Sequence, residues 1–215
     1  MKFSALALGS AIATANAAVL GDRSQFAERA TYAVVGKPDG FATGTTGGGS
    51  AACAIPSSVA QLKTWLTDST ARCIVLDKEY NFKGTEGTTT ETGCRPASNK
   101  CPGAGGQDAI NKASWCTNGN AGAGVKSMSV TYDTAGVAGI NVGSNKSLIG
   151  VGSKGVIRGK GLRMANGAKN VIIQNIHITE LNPQYIWGGD AITVDGSDLI
   201  WVGTSSCLSP HLRKS

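Results

Sequence analysis

An all-β chain wound as a parallel β-helix is predicted by its composition and by apolar segments that recur at long intervals. Glycine supplies 30 of the 215 residues and charged side chains only 16%. That balance suits short strands between many turns better than helices rich in Ala, Leu, Glu and Lys. Asn145-Lys146-Ser147-Leu148-Ile149-Gly150, Lys169-Asn170-Val171-Ile172-Ile173-Gln174-Asn175 and Ser197-Asp198-Leu199-Ile200-Trp201-Val202 align on their apolar centres, with 23 positions from Leu148 to Val171 and 28 from Val171 to Leu199. Repeats of that length, each only a few short strands, bury an apolar side by stacking on their neighbours. A sandwich would instead show hairpin turns every ~8–12 residues. The length suits one domain with a sizeable core.

In chain order, Lys2, the small apolar run from Ala5 to Ala13 and Ala15-Asn16-Ala17 form the pattern of a secretory signal peptide at 1–17. A secreted, extracellular chain starting near Ala18 is expected. No later run reaches the ~18 apolar residues of a membrane span, so no membrane partner is expected. Residues 41–52 are too rich in Gly and Thr for regular structure, but within 57–70 Val59, Leu62, Trp65 and Leu66 recur at helical spacing, and Ser57 or Ser58 can cap that short N-terminal helix. Cys73 to Leu76 reads as a strand, and Asn81-Phe82 opens a turn-laden excursion to about Gly124. Gly150-Val151-Gly152 and Gly155 to Gly159 add strand and turn units, while Asn175 suits a tight corner because Asn tolerates left-handed backbone. The repeat pattern stops at Val202, which gives a β-helix domain at 18–202 and a divergent tail at 203–215.

Six cysteines, at 53, 73, 94, 101, 116 and 207, fit an oxidising compartment, and five of them crowd the N-terminal half, where disulfides are expected. No pair has C-x-x-C spacing and the two histidines, His177 and His211, are isolated, so no metal site is expected. His177 reads as a strand residue. The formal charge of +6 includes Lys2 in the leader and Arg213 and Lys214 in the tail. Lys154, Arg158, Lys160 and Arg163 cluster in a Gly-rich stretch without interleaved aromatics. That argues against a nucleic-acid surface and leaves room for modest attraction to a polyanionic carbohydrate.

Tyr185-Ile186-Trp187-Gly188-Gly189-Asp190-Ala191-Ile192-Thr193-Val194 sets one carboxylate and two aromatic rings between repeat segments, the arrangement of half an active site. Taken alone, Asp190 reads as a corner carboxylate and a lone Trp as core packing. Together with TEGTTTETGC (85–94), INKASWCTN (110–118), SNKSLIGVGSKGVIRGKGLR (144–163), NVIIQNIHITELNP (170–183) and WGGDAITVDGSDLIWV (187–202), however, the chain from about Ala33 to Val202 resembles the fungal pectin lyases of polysaccharide lyase family 1.

The resemblance implies a right-handed parallel β-helix whose N-terminal part this chain supplies. It also implies a secreted monomer that cleaves methyl-esterified polygalacturonate (pectin) by β-elimination without a cofactor. Elimination removes a weakly acidic proton beside the carboxyl carbon while negative charge builds on that carboxyl group, so a cationic environment is needed. Pectate lyases supply it with calcium, whereas pectin lyases use arginine. Asp190 matches the family's cleft aspartate, in a role that supports a cleft arginine. The further acid that calcium-binding relatives carry two positions earlier is Gly188 here, and one carboxylate makes a poor calcium cage.

Trp187 and Trp115 match aromatic positions of the substrate cleft, and Tyr185 joins them as a candidate substrate-binding residue. A further cleft tryptophan is replaced by Ala97. Cys94 and Cys116 match a family disulfide, Cys53 with Cys73 follows by elimination, and Cys101 matches a cysteine whose partner would lie downstream. Asn145-Lys146-Ser147 is the sole glycosylation sequon. After Val202 the family would continue into further coils and its catalytic arginine, a pattern that 203–215 does not match. The expectation is therefore a truncated lyase of impaired activity. Two other readings stay open: a calcium-dependent pectate lyase, whose activity on demethylated pectin a chelator would abolish, and a non-catalytic wall-binding fragment, which would bind pectin without turnover.

Overall fold

A computed structural model describes residues 32–97, 99, 106–203 and the backbone of 206–208. The signal-peptide expectation at 1–17, Cys101 and most of the 203–215 tail lie outside these residues.

The described chain is a parallel β-helix with three walls. The first holds Ile140–Asn141, Leu162–Ala165 and Ile192–Asp195; the second Cys53–Ala54, Arg72–Leu76, Lys146–Gly150, Lys169–Gln174 and Asp198–Val202; the third Glu79–Asn81, Val156–Arg158, His177–Thr179 and Ser206–Leu208. Every pairing within these walls is parallel. One coil runs Leu162–Ala165, Lys169–Gln174, His177–Thr179 and then returns through a loop to Ile192–Asp195.

Alternation along these short strands turns Leu162, Met164, Val171, Ile173 and Ile178 inward, where they join Ile74, Leu76, Leu148 and Ile157 in one core. Each such residue contributes about 1.5–3 kcal/mol when fully buried. Helix α1, Val59–Thr67, starts where Ser58 Oγ accepts from Gln61 N–H at 3.1 Å. It adds Leu62 and Leu66 to the same core, and Gly143 N–H donates to Leu66 C=O at 2.8 Å.

The register of the second wall departs from the apolar alignment of the sequence. Ile173, not Val171, lies over Leu148, and Ile200, not Leu199, lies over Val171. The marker is polar: Asn145 and Asn170 sit one coil apart in left-handed backbone, at φ 60° and 62°, and Asn170 Nδ2 donates to Asn145 Oδ1 at 2.7 Å. Asn175, at φ 55°, forms the expected corner and donates to the carbonyls of Gly150 and Gly152. Asn145, the sequon residue, thus holds a corner of the stack. Lys146 beside it is fully buried, its ammonium shared among Asp68 Oδ1, Asp68 C=O and Thr70 C=O.

Two expectations are corrected here. The excursion after Asn81 is not all turns: Thr88–Arg95 and Lys126–Asp133 pair antiparallel along their whole length, from Thr88 opposite Asp133 to Arg95 opposite Lys126. This ribbon is Thr-rich and largely exposed, so cross-strand pairs such as Thr90–Thr131, hydroxyl to hydroxyl at 2.8 Å, stand where an apolar pattern would have announced it. The coil pattern also does not stop at Val202. Gly203 N–H donates to Ile173 C=O, and Ser206–Leu208 adds a third-wall strand beside His177–Thr179. Three residues are too few for alternation to show. Both expected disulfides, Cys53–Cys73 and Cys94–Cys116, are formed.

Candidate functional site

A groove of about 290 Å³ lies along the outer face of the first wall, lined by Asn141, Arg163 and Thr193 of the wall, Asp190, Lys112 and Val137. Arg163 pairs in register with both Asn141 and Thr193, so the three form one outward ladder. Leu162 and Met164 on either side of Arg163 are fully buried, and the period of two in a strand therefore sends Arg163 outward.

The loop from Leu181 to Ala191 brings Asp190 to this groove. Tyr185–Ile186 pairs parallel with Asp108–Ala109 of the side sheet, and Ile110 N–H donates to Ile186 C=O at 3.1 Å. Asn182 is buried and acts as a clasp: its Oδ1 accepts from Asp133 N–H at 2.8 Å, and its Nδ2 donates to Asp133 C=O and to Gly188 C=O, each at 2.9 Å. The two glycines of the loop answer to this close fit. A Cβ on Gly188 would stand 2.3 Å from Asn182 C=O oxygen, and one on Gly189 1.9 Å from that of Gly136. The residue after them, Asp190, is exposed at the groove, with Thr193 Oγ1 at 3.4 Å from its Oδ2.

Trp187 is 44% exposed and holds φ 64°, a backbone conformation rare for a bulky residue and costly to keep. Trp115 packs edge-on against it, ring centroids 6.1 Å apart, and is itself half-buried over Cys94, Ala109 and Ala121. The Cys94–Cys116 disulfide ties the residue next to Trp115 to the antiparallel ribbon. Tyr185 packs toward the ribbon. Its ring meets Tyr132 edge-on at 6.4 Å within a cluster with Ile110 and Val130, and its hydroxyl accepts from Thr131 N–H at 3.2 Å.

Charge at the groove is arranged loosely. Arg163 donates to Asp195 Oδ2 at 2.7 Å, while Lys112, on a one-turn 3-10 segment, has no ion pair among the described residues. A larger groove of about 540 Å³ on the third wall contrasts with this. There Arg158 is bound by both Glu79 and Glu180, Lys83 pairs with Glu180 at 2.6 Å, and the lining includes no Trp, Tyr or Phe. Hydrogen bonding from Lys83, opposed by partial burial, holds the Glu180 carboxyl below the usual carboxylate range. With its charges paired internally and no indole, phenol or phenyl face to offer, that groove is the poorer candidate.

No family model matches the chain. Among curated proteins, a pectin lyase of Colletotrichum gloeosporioides is 60% identical over 172 residues, covering 80% of this chain and 44% of its own length. Pectin lyase B of Emericella nidulans is 56% identical over 189 residues, 87% of this chain and 48% of its own. Over most of its own length the chain is thus similar to fungal pectin lyases. A probable pectin lyase F of Aspergillus niger, 56% identical over 177 residues, extends the same match to 81% of the chain and 36% of that protein. The chain thus spans less than half the length of the pectin lyases it matches.

Of the residues singled out from the sequence, Asp190 lines the groove, Trp187 and Trp115 pack edge-on against each other, and Tyr185 packs against Tyr132. Arg163 was noted from the sequence only as one of a basic cluster, and Lys112, which also lines the groove, and Asn182, which clasps the loop, were not singled out. Arg163 stood between two apolar residues in Gly161-Leu162-Arg163-Met164, which already assigns it the outer face of a strand. Nothing local marks Lys112 or Asn182, whose roles arise only where distant segments meet.

Proposed function

We propose that the chain acts as a secreted polysaccharide lyase whose first-wall groove binds methyl-esterified polygalacturonate for cleavage by β-elimination. The observation that carries this reading is Trp187: an exposed indole held in left-handed backbone, backed by Trp115 and three residues from a groove carboxylate. A neutral polymer offers no charge to grip, so flat rings that stack on sugar faces supply the contact. The methyl ester acidifies the neighbouring ring proton. As that proton passes to a base, electron density moves to the ester carbonyl oxygen and then expels the glycosidic oxygen one carbon on, which takes a proton from water. That base is, by the resemblance, the family's catalytic arginine in the coils after Val202.

By the resemblance, the cation this charge requires is an arginine of the coils that follow Val202 in the family, and Asp190 is the carboxylate that orients it. Gly188 supports the ester reading over the calcium-dependent one. The acid that the latter would place there has no room, since even a Cβ meets Asn182. Export through residues 1–17 and a glycan on Asn145, which is exposed at its corner, belong to the same proposal.

The test is to incubate the purified chain with highly methylated pectin and follow the ultraviolet absorbance of the unsaturated product, with and without a chelator. Product formation indifferent to chelation supports the reading. Activity confined to demethylated pectin and lost on chelation points to a pectate lyase, and binding without product reduces the site to a wall-binding surface.

A further inference from the structure

We infer that Arg163 and Lys112 form a subsite for a free galacturonate carboxylate, so that the groove accepts partly de-esterified pectin with an acid unit beside an esterified one. The inference rests on the pectin reading above and deepens it. Arg163 occupies the middle of the outward ladder Asn141–Arg163–Thr193, within the groove that Asp190 also lines.

Its ion pair among the described residues is a single contact from one terminal nitrogen to Asp195, whose side chain is 65% exposed while that of Arg163 is 39% exposed. Exposed pairs of that kind are screened and contribute little. Asp195 is therefore easily exchanged for a better partner. A guanidinium carries five N–H donors in a planar fork, and a planar carboxylate can take two of them at once. A methyl ester, with one carbonyl acceptor and no charge, cannot use that fork fully.

Lys112 supplies the second cation. It lines the same groove, is exposed, and has no ion pair among the described residues. The turn that carries it is held in an unfavourable conformation, with Ala113 at φ 51° and Ser114 at φ 59°. Asn111 Oδ1 accepts from Cys116 N–H at 2.9 Å across that turn, one residue from Trp115. The backbone that carries Lys112 is thereby tied to the turn that carries Trp115. Neither cation is needed to grip an uncharged ester, and together they match a carboxylate.

The experiment titrates tetragalacturonate, as the free acid and as its methyl ester, into the full chain by calorimetry at low and at physiological salt. Both forms are expected to bind, the acid more weakly as salt rises. Arg163→Gln should weaken the acid about ten-fold, the size of a lost charge-assisted hydrogen bond, and leave the ester within about two-fold. Arg163→Lys should recover part of the loss. Asp195→Asn, which removes the internal competitor, should tighten acid binding a few-fold. The inference is overturned if the acid does not bind while the ester does, or if Arg163→Gln weakens both forms alike. Failure of both forms to bind the unaltered chain overturns the pectin reading and the subsite with it.

Discussion

Lys146–Gly150 in the second wall is buried at every position, whereas most positions of the Tyr185–Ala191 loop are half-buried or exposed. The wall is held by coils stacked on both sides. The loop is held by one buried amide, a two-residue strand pairing and a disulfide in the neighbouring segment. The difference teaches where this fold keeps its stability and where it keeps its chemistry. Apolar burial is generous and indifferent to detail along the walls, while in the loop a few directional contacts hold a strained Trp187 and an exposed Asp190 in place.

The comparison is broken most directly in the wall. Ile173 is 1% exposed with coils on either side, so Ile173→Ala should cost about 2–5 kcal/mol in chemical denaturation. Ile200→Ala, at a half-buried position one coil on, should cost clearly less. Equal losses would show that the stacking gradient does not govern stability.

In the loop, Asn182→Ala removes three hydrogen bonds to backbone groups and should cost about 2–3 kcal/mol while leaving the coils intact. Its signature is local. Amide exchange should accelerate between residues 181 and 191 but not in Lys169–Gln174, and pectin binding should weaken at the same time.

A smaller effect lies in the acid limb of stability. The Arg72 guanidinium beside Asp68, opposed by partial burial and helped by Lys146, holds that carboxyl at about 2, below its ordinary 3.8. A carboxylate whose pKa is depressed on folding stabilises above its unfolded value and loses that contribution as pH falls through the folded one. Asp68 therefore stabilises fully above pH about 4 and ceases to do so toward pH 2. Denaturation midpoints of the unaltered chain should fall over that window, and Asp68→Asn should flatten the fall.

Much of the fold was legible because its signals are local. Val59, Leu62 and Leu66 at helical spacing behind Ser58 gave α1, and Asn175 marked its corner. Parallel stacking followed from repeats too long for hairpins. The register was missed because apolar triplets such as Val171-Ile172-Ile173 fit a neighbour equally well when slid by two, the period of a strand, and the true marker is the polar pair Asn145–Asn170. The antiparallel ribbon hid in threonines that face solvent. At the candidate site, Trp187 and Asp190 stand out by family resemblance, being close together in sequence. Arg163 and Lys112 join Asp190 only through coil stacking and the Cys94–Cys116 loop, contacts that no single segment encodes.

The smallest expected change in stability tests the central claim, that Trp187 is held in strain because its exposed ring grips an uncharged sugar polymer. Trp187→Gly relieves φ 64° and should leave thermal stability unchanged or raise it by about 1 kcal/mol. If the account holds, titration of that variant with methyl-esterified oligogalacturonate shows binding reduced at least about ten-fold against the unaltered chain, in keeping with loss of a stacking platform. Undiminished binding, or a marked fall in stability, would contradict it and return Trp187 to the scaffold.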